Sequence, residues 1–149
     1  MRFRQLAASI ALSGIASAGA AQTAMTVAKD PSCGCCTAWS EIMQSAGYAV
    51  TIENTSYDAL DDLKASRGVP DRMAGCHTAT IEGYTIEGHV PAADIDRLLA
   101  KRPDAIGLAV PGMPMGSPGM GPETSRDAYD VILIGADGGT EVFASYPAR

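Results

Sequence analysis

The chain has 149 residues and a formal net charge of −6 at pH 7, and 46% of it is hydrophobic. That acidity excludes nucleic acid as a natural partner, because phosphates demand basic patches. It suits traffic in cations, and it is also what keeps many proteins soluble.

The first 20 residues read as an export signal. Arg2 and Arg4 give a short positive start, Leu6 to Ala16 is mostly apolar and uncharged, and Ala18-Gly19-Ala20 has the A-x-A form of a cleavage site. The apolar run is too short for a membrane span, which needs roughly 20 residues. Cleavage after Ala20 or Ala21 is therefore expected, without stable membrane insertion. The mature chain is expected in the periplasm, with residues 25–149 forming a single domain. Its size allows one core.

The elements follow in order. Thr26 to Lys29 reads as a strand, and Asp30-Pro31-Ser32 as a turn that can cap a helix. Helical spacing of Trp39, Ile42, Met43 and Ala46 predicts a helix from about Gly34, ended by Gly47. Tyr48, Val50 and Ile52 alternate as a strand. Ser56 caps a second helix with Leu60 and Leu63 inward and Gly68 past its end. Thr78 to Ile81 and Tyr84 to His89 form a hairpin around Glu82-Gly83. If that turn is tight, Ile81 pairs with Tyr84 and Cys76 falls opposite His89, while His77 points the other way unless it lies in the loop before the strand. Pro91 opens a third helix with Ile95, Leu98 and Leu99 buried, and Pro103 stops it. Gly107 to Pro122, rich in Gly, Pro and Met, reads as an irregular loop. Tyr129 to Ile134 and Glu141 to Tyr146 make a last hairpin. The order predicts an α/β, thioredoxin-like fold: a central mixed β-sheet flanked by helices, with the cysteine motif at the N-terminus of the first helix. The loop before the third strand, holding Cys76, would face that motif.

Chemistry concentrates in the cysteines. Cys33, Cys35 and Cys36 sit within four residues, and Cys76 is followed by His77. An exported chain with paired cysteines would ordinarily carry disulfides. Here two loop-stapling bridges are hard to draw from three thiols in one turn, and a bridge between neighbours strains both torsions. Cys33 and Cys36 form a C-x-x-C, and a helix N-terminus favours their thiolates. That spacing serves thiol exchange or metal binding. The extra Cys35 favours metal, since it would attack a mixed disulfide but can bridge ions in a cluster. Thiolates and thioethers prefer Cu(I); zinc wants four ligands spread tetrahedrally. His89 and His77 are candidate imidazole ligands, and Met113 and Met120 candidate thioether ligands, beside plain packing roles. Met25, Met43 and Met73 read as ordinary packing residues. No carboxylate arrangement, phosphate loop or nucleophile elbow indicates other catalysis, so any turnover would be copper or thiol redox.

The motifs Cys33-Gly34-Cys35-Cys36 with Trp39, Cys76-His77-Thr78-Ala79, Gly83-Tyr84, Gly88-His89-Val90-Pro91, and Val110-Pro111-Gly112-Met113-Pro114 with Gly116-Ser117-Pro118-Gly119-Met120 resemble the periplasmic CopG-like copper-resistance proteins. That family was long catalogued as a domain of unknown function. The resemblance implies a thioredoxin-like fold and cluster thiolates at Cys33, Cys35, Cys36 and Cys76 holding several Cu(I) ions. It also implies a role in periplasmic copper tolerance, extended by some to interconversion of Cu(I) and Cu(II). Copper-export or redox proteins of the periplasm would be its partners. A thiol–disulfide oxidoreductase using Cys33 and Cys36, or a zinc-binding structural module, are the alternatives.

Overall fold

In the computed structural model, residues 21–149 are described; the segment read as an export signal, with its expected cleavage after Ala20 or Ala21, lies outside them. Ten regular elements follow one another: β1 (Ala24–Lys29), α1 (Gly34–Ser45), β2 (Ala49–Asn54), α2 (Tyr57–Ser66), β3 (His77–Ile81), β4 (Tyr84–Glu87), α3 (Ala92–Lys101), β5 (Ala105–Ala109), β6 (Tyr129–Gly135) and β7 (Thr140–Tyr146). They build a mixed seven-stranded sheet in the order β2-β1-β3-β4-β5-β6-β7. β1 runs parallel to β2 and antiparallel to β3, which is antiparallel to β4. This is the arrangement that a thioredoxin-like core requires, with β5 to β7 added at one edge.

Period-two alternation divides the sheet into two faces. Met25, Val27, Ala79, Ile81 and Ile86 point to one of them and meet Trp39 and Met43 of α1 and Ile95 and Leu98 of α3. Each fully buried side chain of this size contributes about 1.5–3 kcal/mol relative to exposure. On the other face α2 lies over β3, where Lys64 reaches Thr78 and Glu87. The hairpin turn is as tight as expected. Glu82 and Gly83 both take positive φ, and Ile81 pairs with Tyr84.

Three expectations are corrected. The stretch from Gly107 is not all loop: Ala105–Ala109 is a strand, parallel to β4 and antiparallel to β6. Gly107 marks a bulge where a Cβ would lie 1.7 Å from the Thr85 carbonyl oxygen, so only glycine lets the strands pair. Ile42, placed on the buried stripe, is 39% exposed, because α1 turns its Trp39–Met43 edge to the core. On α2, Leu63 is only half-buried and the neighbouring Lys64 is buried instead.

Candidate metal centre

Two stretches of backbone bring the site together. Asp30 turns the chain out of β1: its carbonyl oxygen accepts the Cys33 N–H at 3.0 Å, and its carboxylate accepts the Ser32 N–H at 2.8 Å. Cys33 then caps α1, its Sγ accepting the Cys36 N–H at 3.3 Å. The second stretch ends at Cys76, just before β3. Gly75 and Gly88 pack backbone to backbone, so closely that a Cβ on Gly75 would lie 2.6 Å from the Gly88 Cα. Each glycine immediately precedes a site residue, Cys76 and His89, and their contact sets those two side chains opposite each other.

The result is one cluster. The Sγ atoms of Cys33, Cys35, Cys36 and Cys76 all lie within 4.8 Å of one another. Cys33 and Cys36 are joined by a disulfide, and Cys35 and Cys76 are free. Cys35 Sγ is 3.5 Å from Cys33 Sγ and 3.8 Å from Cys76 Sγ. Cys76 Sγ is 3.0 Å from His89 Nε2 and 3.5 Å from His77 Nδ1. The register thus places Cys76 against His89 as expected. His77 does not point away: it begins β3, while Cys76 precedes it outside the strand, so strict alternation does not separate them.

The imidazoles are held from behind. His89 Nδ1 lies 2.7 Å from the Pro118 carbonyl, which can only accept, so Nδ1 carries the proton and Nε2 offers its lone pair to Cys76. His77 packs between Trp39, 4.5 Å away ring to ring, and His89, 5.2 Å away. Its Nε2 is buried without a hydrogen-bond partner. Burial, then the neighbouring His89, then Lys64 and Lys29, keep His77 well below the usual imidazole pKa, and burial also lowers His89. Both rings are therefore neutral, the form that ligates metal. Burial, then the facing Cys35, push the Cys76 thiol up. Its proton is best placed between Sγ and the His89 Nε2 lone pair.

The loop after β5 closes the site. Gly119, with φ +85°, lies so close to α1 that a Cβ would be 2.8 Å from both the Cys35 carbonyl oxygen and the Trp39 nitrogen. From the far side, Glu87 fastens the Cys76 stretch. One carboxylate oxygen accepts the Gly75 N–H and the Lys64 ammonium, each at 2.7 Å, and the other accepts the Thr78 hydroxyl at 2.7 Å. Met113 is 55% exposed in a groove shared with Met73, Pro111 and Tyr129, and Met120 is half-buried beside Gly119. Sequence reasoning missed Lys29, Lys64, Glu87 and the Pro118 carbonyl. The signal for the backbone part was present: a glycine before each of Cys76 and His89.

Fold and site define an α/β protein whose cysteine-rich helix start and histidine-bearing hairpin can hold soft metal ions. The family described as "Protein of unknown function, DUF411" matches residues 73–120. No curated protein sequence matches the chain. Two solved structures do. "Copper resistance protein copG- Form 1" is 42% identical over 86% of this chain and 100% of that one, with a TM-score of 0.80. Form 2 is 43% identical over 85% and 100%, with a TM-score of 0.79. The chain belongs to the CopG family of copper resistance proteins. Among the described residues no helix is long and apolar enough to cross a membrane.

Proposed function

We propose that this protein binds several Cu(I) ions in the periplasm through Cys33, Cys35, Cys36 and Cys76, and so protects the cell from copper. His89 and His77 complete the ligand set from the hairpin side, and Met113 and Met120 remain candidate thioether ligands. One observation carries this reading: four sulfur donors from two distant stretches, three from one turn, lie within 4.8 Å of one another beside two neutral imidazoles. Cu(I) accepts two or three sulfurs and shares them between ions, so this crowding suits it. His77 Nδ1, 3.5 Å from Cys76 Sγ, is the His77 nitrogen that faces the thiols.

The Cys33–Cys36 disulfide makes the site redox-dependent. Two electrons and two protons open it to two thiols, and Cu(I) replaces the protons. Oxidation by two Cu(II) ions would run the reverse, closing the bridge and yielding two Cu(I). Sequestration with such electron exchange is the mechanism the geometry favours. The same disulfide supports a second reading, thiol–disulfide exchange with another periplasmic protein through Cys33 and Cys36.

Metal analysis of reduced protein from copper-fed cells separates these readings. More than one sulfur-bound copper per chain is expected; metal-free protein with fast disulfide turnover supports the second reading, and a single tight zinc rejects both. Cys35→Ser sharpens the result: copper loading should collapse, while exchange through Cys33 and Cys36 survives.

A further inference from the structure

Lys29 is the last residue of β1 and is only 3% exposed. It shares its strand face with Met25 and Val27, beneath α1, and pairs with His77 across the sheet. Its Nζ donates to the Asp30 carbonyl oxygen at 2.9 Å, the same oxygen that accepts the Cys33 N–H. A single carbonyl group therefore joins this ammonium to the residue that opens the cysteine motif.

The charge has no acid to answer it. Among the described residues no carboxylate lies within ion-pair distance of Lys29. The adjacent Asp30 carboxylate turns instead to the Ser32 N–H and hydroxyl. The other buried lysine, Lys64, differs in having Glu87 at 2.7 Å. A buried ammonium with one neutral acceptor for three N–H groups is costly, and folded proteins rarely keep one without a use. In the disulfide-bonded form Lys29 has no ion-pair partner among the described residues. The reduced form would supply an anion, because four thiolates that share fewer than four Cu(I) ions carry net negative charge.

We propose that Lys29 is the built-in counter-charge of the cysteine site, a positioning residue that favours its anionic, reduced and copper-loaded state. The inference rests on the copper reading above. The electron balance is simple: two electrons open Cys33–Cys36 to two thiolates, which two protons or Cu(I) ions then take up, and the Lys29 ammonium shares one carbonyl oxygen with the Cys33 N–H. No metal ligation by Lys29 is involved.

Lys29→Met keeps the aliphatic stem and removes the charge, and Lys29→Arg keeps the charge. Against glutathione, the metal-free Lys29→Met protein should favour the Cys33–Cys36 disulfide about tenfold more than wild type does, a shift of about 30 mV. Its Cu(I) affinity, read by competition with a colorimetric chelator, should fall about tenfold, as expected for an outer-shell partner. The oxidised variant should be at least as resistant to urea as wild type, because an unanswered buried charge is gone. Lys29→Arg should return both functional readings toward wild type. Unchanged glutathione equilibrium and copper affinity in Lys29→Met, with lower urea resistance, would reduce Lys29 to a packing residue and overturn the proposal. Should Lys29→Met fail to fold, Lys29→Gln gives the same readings. The glutathione equilibrium needs no copper: wild-type protein that takes up none removes the copper reading, whereas an unshifted equilibrium removes this one.

Discussion

The two halves of the site are built to opposite specifications. On the α1 side, three sulfurs lie on one turn and already bond among themselves, with Cys33 joined to Cys36 and Cys35 3.5 Å from Cys33. On the hairpin side, one sulfur and two imidazoles are fixed by paired glycines, the Glu87 carboxylate and the Pro118 carbonyl. The first half can change its bonding with electrons. The second is tied by backbone packing and hydrogen bonds, with no sulfur–sulfur bond in it. They touch through Cys35 and Cys76, 3.8 Å apart. The proposed copper cycle, in which the site opens and reloads, would benefit from this division, because one half keeps the geometry while the other half reacts.

Each half can be broken separately. Glu87→Gln leaves Lys64 buried without its acid and loosens Gly75, and it should cost about 3–5 kcal/mol. Urea unfolding measures this, and a loss under about 1 kcal/mol would show that the hairpin side does not depend on that carboxylate. Cys76→Ser removes the only sulfur of the fixed half. Cu(I) affinity should drop by more than about 100-fold, beyond the range for outer-shell partners, while the Cys33–Cys36 disulfide still forms. Chelator competition and thiol counting together read both, and copper binding at wild-type strength would confine the metal to the α1 side. Gly119→Ala adds a methyl group against the Cys35 carbonyl at positive φ. It should cost about 2 kcal/mol and lower the Tm of oxidised and reduced protein alike. A Tm unchanged in both forms would mean that the loop is not seated on α1.

Much of this was legible in the sequence, and the exceptions share a cause. The hairpin register followed from Glu82-Gly83, because a two-residue turn leaves no freedom. The convergence of Cys76 on the three-cysteine turn followed from the order of the elements. What stayed hidden depends on partners that are distant in sequence. Lys64 reads as a solvated charge until Glu87 appears beneath it. Gly107 reads as a loop residue until Thr85 of the adjacent strand is seen to leave it no room. Ile42 has the right spacing for burial, but the loop carrying Pro118 and Gly119 forms only a shallow groove beside it. The state of the C-x-x-C cannot be read from spacing at all, since the same interval serves bonded and open sulfurs.

The lone tryptophan has a practical consequence. Trp39 is pinned through its indole N–H to the Val90 carbonyl at 2.9 Å, and its ring lies 4.5 Å from the His77 ring, tilted by 45°. An ion held by either imidazole comes within quenching range of the sole indole fluorophore. Filling and emptying of the pocket can then be followed by the protein's own emission, with no dye or label.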